Sequence, residues 1–246
     1  MVKTILLIAK FTIGVILSLL FVSCNIGSFG TKGVNGDGTV VTQNRTASAP
    51  FYSIQASNGL DIIIEQSDKQ AIIVEADQNL QDHIKTSIEN GVLEVTSDVN
   101  IKKASSKKVF IKIKELKELQ TSSGADVRGK NTIVSKNIDL KSTSGSSIYI
   151  TLKATNTKTV VSSGSSMEIN GATQNYFVDS SSGSSLDAKD FKAQSITSEA
   201  SSGGSMRINP VENLIATASS GGSIQYVNNP KTIKRKMSSG GSISLE

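Results

Sequence analysis

The 246 residues contain one histidine, His83, and one cysteine, Cys24, so the side chains most used for nucleophilic and metal chemistry are nearly absent. A Ser-His-Asp relay would have to be built on His83, within Gln81-Asp82-His83-Ile84 and far in sequence from the serine-rich half. Serines are so common there that one near a histidine carries little weight. A zinc site needs several His or Cys at set spacings, which the chain cannot supply. Calcium needs clustered oxygens. Asp126, Asp139, Asp179, Asp187 and Asp190 fall at different phases of the repeat described below, and the Gly/Asp nonapeptide repeat is missing. One carboxylate pair merits attention. Glu168 and Asp187 each lie four residues after a glycine, and on stacked strands they would sit roughly 5 Å apart. That spacing suits an acid/base dyad of a carbohydrate-active enzyme. The same position in neighbouring repeats holds Tyr149, Arg207 and Gln225, so the pair reads as a surface charge cluster beside Arg207. No catalytic, cofactor-binding or metal-binding residue is assigned, and a non-enzymatic role is expected.

The elements that would position any site come from a repeat. Ser-Gly recurs with glycine at 124, 145, 164, 183, 203, 221 and 240, at intervals of 21, 19, 19, 20, 18 and 19. Intervals of this size mark a solenoid, each repeat being one coil of a stack. From Gly145 onward the third and fifth residues after each glycine are apolar, as in Ile148 and Ile150, Met167 and Ile169, or Ile224 and Tyr226. A separation of two places both on one face of a strand. The seventh residue before glycine is also apolar in most repeats (Ile138, Tyr176, Ile196, Leu214, Ile233), with Thr157 the exception. Each coil is therefore expected to hold two short strands with inward faces meeting, turning at a glycine that can take positive φ. A disordered Ser/Gly linker would have no reason to keep paired apolar residues at a fixed offset.

Residues 49–119 show period-two alternation in runs such as Ile62-Ile64, Ile72-Val74 and Val109-Ile111-Ile113, divided by Asn58-Gly59 and Asn90-Gly91. They form the strand-rich N-terminal part of a domain spanning 49–246, with the regular repeats at 120–246. Leu80 to Ile88 is the one segment with the makings of a short helix. Residues 24–48 are rich in Gly, Ser, Thr and Asn and read as a flexible tether. Residues 1–23 read as a signal peptide, with Lys3 and Lys10 beside the apolar run Phe11 to Val22. Phe21-Val22-Ser23-Cys24 resembles the bacterial lipobox, which makes Cys24 the expected lipid-attachment site and the first mature residue. A lipid anchor of this kind implies a membrane partner. Asn25, unlike an inner-membrane-retaining Asp, favours the outer membrane, and no acidic run of the surface-export kind follows Cys24, so the leaflet is left open. Removing the two leader lysines takes the formal charge from +5 to +3, too mild to call for nucleic acid.

Two basic stretches remain. Lys102, Lys103, Lys107, Lys108, Lys112, Lys114 and Lys117 read chiefly as a solvated strand face, with attraction to anionic glycans or headgroups as the functional reading. Lys234, Arg235 and Lys236 lie in the last coil, where charge would discourage edge-to-edge pairing of strands.

With these residues in view, the chain resembles the head GIN domain family, described as putative auto-transporter adhesins. The resemblance rests on Ile72-Ile73-Val74-Glu75-Ala76-Asp77 with Asn79-Leu80, on Asn90-Gly91-Val92-Leu93, and on Leu119 leading into Ser122-Ser123-Gly124-Ala125-Asp126-Val127. Gly164-Ser165-Ser166-Met167-Glu168-Ile169-Asn170 and the echo ending Met206-Arg207-Ile208-Asn209 match its repeated Gly-to-Ile-Asn signature. The resemblance implies an all-β, right-handed parallel β-helix with coils of about 19 residues, a role in adhesion, and no catalytic residues. The expectation is a non-catalytic envelope lipoprotein contacting glycan, matrix or another envelope protein, with a purely structural envelope protein as a further alternative.

Overall fold

Every corner in the repeat half is built on two consecutive residues with positive φ, a serine and the glycine after it. Ser163 has φ 56° and Gly164 has φ 69°; Ser144–Gly145, Ser182–Gly183 and Ser202–Gly203 share the geometry. Positive φ at both central positions is what a type I′ turn requires, and the Ser165 N–H closes this turn on the Ser162 carbonyl at 3.3 Å. Successive turns are tied together. The Gly145, Gly164 and Gly183 N–H groups donate to the Ser163, Ser182 and Ser202 carbonyls, each at 3.1 Å, so these glycines line up along one edge. Glycine in such a position was expected; a serine in the left-handed region beside it was not. The inter-turn hydrogen bond to that serine's own carbonyl is the compensating interaction.

The computed structural model describes residues 33–246. Cys24 and the leader lie outside them. The N-terminal elements are β1 (Val34–Asn35), β2 (Val40–Arg45), β3 (Ser53–Ala56), β4 (Asp61–Gln66), β5 (Ala71–Asp77), β6 (Ile84–Glu89), β7 (Val92–Ser97), β8 (Ile101–Lys103) and β9 (Lys107–Ile113). The repeats follow as β10 (Glu118–Thr121), β11 (Asp126–Gly129), β12 (Ile133–Ser142), β13 (Ser147–Val161), β14 (Ser166–Ser180), β15 (Ser185–Ala200), β16 (Ser205–Ala218), β17 (Ser223–Tyr226), β18 (Thr232–Met237) and β19 (Ser242–Leu245). From β10 onward all pairing is parallel and in order, giving a β-solenoid of coils of about 19 residues. Strands β13 to β16 run unbroken round the second bend of each coil. Burial still switches phase there, with Ile148, Ile150 and Leu152 inward before it and Thr157, Thr159 and Val161 after it. Each coil therefore has a sheet face leaving the Ser-Gly corner and another approaching the next one.

The inward columns are continuous. Ile148, Met167, Leu186, Met206, Ile224 and Ile243 stack on the departing face; Ile138, Thr157, Tyr176, Ile196, Leu214 and Ile233 stack on the approaching face. Thr157, the exception to the apolar rule, is buried and donates its hydroxyl to Thr173 Oγ1 at 3.1 Å. The long 20-residue interval has a structural cause. Between Asp187 and Phe191, β15 carries one residue more than β14, and the bulge turns Phe191 into the core. Its ring meets Tyr176 edge-on at 5.2 Å.

The N-terminal part continues the same stack. Strands β3 and β4 lie parallel on β10 and β11, and the Gly59 N–H donates to the Ser123 carbonyl at 2.9 Å, so Asn58-Gly59 is the next corner in the column. Strands β7 and β9 lie parallel on β3 and β4; antiparallel β6 on β7, and β5 on β9, then close the end. The anticipated short helix is instead a 3-10 turn over Gln78–His83 followed by β6.

One boundary is corrected. Residues 34–45, expected within a flexible 24–48 tether, form β1 and β2, and β2 pairs antiparallel with β5 from Val40↔Asp77 to Arg45↔Ile72. The sequence hid this because β2 is mostly exposed and held by backbone hydrogen bonds, which leave no hydrophobic period. Asp77 secures the segment. Its buried carboxylate accepts N–H donations from Gly38 at 3.1 Å, Ser105 at 3.0 Å and Ser106 at 2.9 Å.

Candidate binding surface

The residues singled out for chemistry do not assemble into a catalytic group. His83 Nδ1 lies 2.8 Å from Asp98 Oδ1, which lowers the aspartate pKa, and Lys85 Nζ approaches the same carboxylate at 3.3 Å. The pair is exposed, and among the described residues no hydroxyl hydrogen-bonds the imidazole. Glu168 and Asp187 are Cα partners on adjacent strands, as their offsets required. Asp187, however, accepts from Arg207 Nη1 at 3.2 Å, while Glu168 accepts from the Asn170 amide at 3.3 Å. Arg207 also donates through Nε to Glu246 at 3.2 Å, and these carboxylates hold its guanidinium more firmly protonated. The arrangement is an ion-pair cluster. Among the described residues no group of three or more His, Cys, Asp or Glu side chains could hold a metal.

The first basic stretch is dispersed. Lys107 reaches the Gly59 carbonyl, Lys108 approaches Glu75 at 3.7 Å, and Lys117 lies 4.7 Å from the Tyr52 ring centre. In β18 all six residues are exposed. Lys234 and Lys236 point outward, whereas Arg235 pairs with buried Ala216 and so occupies an inward column. An inward charge on a border strand is a recognised way to discourage further pairing.

The outward side of the approaching face carries the more distinctive pattern. Four residues before each glycine, Lys141, Val160, Asp179, Glu199, Thr217 and Lys236 are successive partners. The row continues through Gln120 and Gln55 to Glu94. Six residues before glycine runs a second row of Asp139, Lys158, Phe177, Thr197, Ile215 and Lys234. Each step is one strand spacing, about 4.8 Å. Between the rows lies a shallow groove of about 210 Å³ bordered by Lys158, Phe177, Asp179, Thr197, Glu199 and Thr217. That is below the roughly 300–1,000 Å³ of ligand-enclosing pockets, so the shape suits contact across a surface. Phe177 is 54% exposed and Ile215 49% exposed. Asp179 and Glu199 face each other across adjacent coils; burial, then the neighbouring glutamate, pushes the Asp179 pKa up.

Eight residues before glycine, a hydrogen-bonded amide ladder runs along the second bend. The Asn156 amide donates to Asn137 at 2.7 Å, Asn175 donates to Asn156 at 2.8 Å, and Asn213 donates to Ser195 at 3.1 Å. None of these three rows was anticipated. The signal was nevertheless present, because each keeps a constant offset from glycine.

The comparisons agree with this architecture. The family model described as "Putative auto-transporter adhesin, head GIN domain" matches residues 50–230. The chain belongs to the head GIN domain family. A putative adhesin from Bacteroides fragilis superposes with a TM-score of 0.80 at 18% identity, covering 87% of this chain and all of its own. A putative adhesin from Parabacteroides merdae gives 0.68 at 20% identity, covering 87% of this chain and 99% of its own. A putative lipid binding protein from Parabacteroides distasonis gives 0.70 at 19% identity, covering 87% and 100%. At such identities these likenesses establish the shared fold. No curated protein matches the chain. Within this head GIN domain, the approaching face sets exposed Phe177 and Ile215 beside Asp179 and Glu199, which form no ion pair among the described residues.

Proposed function

We propose that this head GIN domain protein is a non-catalytic adhesin, carried in the cell envelope on a lipid at Cys24 and binding through the approaching face of its solenoid. The observation that carries the reading is the straight pair of outward rows on that face, with Phe177 and Ile215 exposed among polar groups. Rigid backbone ladders fix the spacing of these groups, so many weak contacts can be made with little ordering cost on the protein side. Glycan, extracellular matrix and another envelope protein are the partner classes considered, and nucleic acid is not among them. The outer membrane is the proposed location, with Asn25, in place of an inner-membrane-retaining Asp, in support. Purified protein should bind at least one immobilised glycan, matrix protein or intact cell surface, and metabolic labelling with a palmitate analogue should mark wild type but not Cys24→Ala. Failure to bind any such surface would refute the adhesive reading; an unlabelled wild-type protein would refute the anchor.

A further inference from the structure

We propose that the strip formed by Phe177, Asp179, Glu199 and Ile215 is a docking site for a polypeptide segment with basic residues at its centre and acidic residues at its flanks. This rests on the adhesive reading and chooses protein among its partner classes. Asp179 and Glu199 are direct partners on adjacent strands, where like charges oppose each other about 4.8 Å apart. Two other acidic pairs on adjacent strands recruit a cation: Asp126, beside Asp61, pairs with Arg128 at 2.9 Å, and Asp187, beside Glu168, pairs with Arg207 at 3.2 Å. Asp179 and Glu199 form no ion pair among the described residues, although Lys158 lies on the neighbouring coil. A guanidinium or ammonium group set between them would pair with both carboxylates and relieve their mutual repulsion.

The apolar members suit the same visitor. Phe177 and Ile215 stand in one row with Thr197 between them, so the hydrocarbon stem of a Lys or Arg can lie on the ring while its charged head reaches the carboxylates. The wider charge pattern sets the register. Lys141 and Lys158, with Asp139 beside them, lie on one side of the strip and Lys234 and Lys236 on the other, so a net positive charge flanks the two anions at each end along the axis. A uniformly basic partner would be repelled at both ends. A neutral saccharide would leave the carboxylates facing each other.

Two nine-residue peptides provide the test, one with central arginines and leucines flanked by glutamates, the other with every charge reversed. Binding to the purified full-length protein is followed by fluorescence anisotropy at low and physiological salt, with cellohexaose as competitor. The first peptide should bind at least about tenfold more tightly than its reversed twin, and lose about tenfold in the double variant Asp179→Asn/Glu199→Gln. Phe177→Thr should weaken binding at unchanged salt dependence. Melting temperatures of the carboxylate variant should hold or rise, since its substitutions remove repulsion. Equal binding of the two peptides, indifference to all three substitutions, or full displacement by cellohexaose would overturn the proposal. If wild type adheres to a surface and the strip variants adhere equally, the strip is wrong while the adhesive reading stands. If wild type adheres to nothing, the broader reading has failed.

Discussion

Replacing Gly204 by alanine should destabilise the solenoid far more than replacing the corner glycine of the previous coil. The position after the corner glycine holds buried serines in earlier coils, Ser146, Ser165 and Ser184, but glycines at 204, 222 and 241 later. Ser184 donates its hydroxyl to the Val161 carbonyl at 2.7 Å, so that coil has room for a side chain. At Gly204 an added Cβ would fall 2.2 Å from the Ser180 carbonyl oxygen and 2.5 Å from its carbon, both backbone atoms. Relief requires parting two coils held by the Ser201 N–H to Ser180 bond at 3.0 Å and the Ser205 N–H to Ser184 bond at 2.9 Å. Overpacking of this kind costs about 1–3 kcal/mol, and weakening two hydrogen bonds adds about 1 kcal/mol, giving about 3 kcal/mol. For a domain of this size that lowers Tm by roughly 6–12 °C. Gly183→Ala separates the causes. Its Cβ would meet nothing within 4 Å, so only the left-handed backbone at φ +69° opposes it, at about 1–2 kcal/mol. Urea unfolding should show a lower midpoint for Gly204→Ala at unchanged m-value. A Gly204→Ala protein that melted with or above Gly183→Ala would refute the close approach of coils at this corner.

Three further outcomes follow from single features. The buried Tyr176 hydroxyl makes no well-aligned hydrogen bond among the described residues, with the equally buried Thr159 hydroxyl as its neighbour, so Tyr176→Phe should leave stability unchanged or raise it by about 1 kcal/mol; a clear loss in urea unfolding would show that the two hydroxyls pair. Asp77 has a lowered pKa, chiefly through the Ser106 N–H, so its contribution is present above the unfolded value near roughly 4 and lost as pH falls through the lower folded value. Exchange of the Gly38, Ser105 and Ser106 amides should therefore accelerate in acid, and Asp77→Asn should expose them at neutral pH; unchanged protection in the variant would contradict the clamp. Replacing Lys234, Arg235 and Lys236 together by Thr should cause concentration-dependent self-association in sedimentation velocity, whereas a monomer at high concentration would show that these charges do not guard β18.

The solenoid was legible because its determinants are local and repeated. A glycine at each corner and aliphatic residues three and five positions later give the coil length, the inward columns and the all-β class without reference to distant contacts. The same reading placed Glu168 and Asp187 on adjacent strands and set Arg207 beside them, although Arg207 pairs with Asp187 and Glu246 and leaves Glu168 to Asn170. What it missed depends on partners remote in sequence. Strand β2 carries almost no buried side chain and exists through backbone bonds to β5, which hydropathy cannot register. Phe191 enters the core only because a bulge reverses its direction, and nothing in an isolated strand specifies the bulge. The outward rows had constant offsets and could have been counted, but the count alone would not single out Phe177 as exposed or show that Asp179 and Glu199 form no ion pair among the described residues. The amino-acid order thus determined how each coil bends and which side chains it hides, since both follow from φ preference and strand period. Only the stacking of coils decided which outward groups become neighbours, because that adjacency depends on the register between segments a full turn apart.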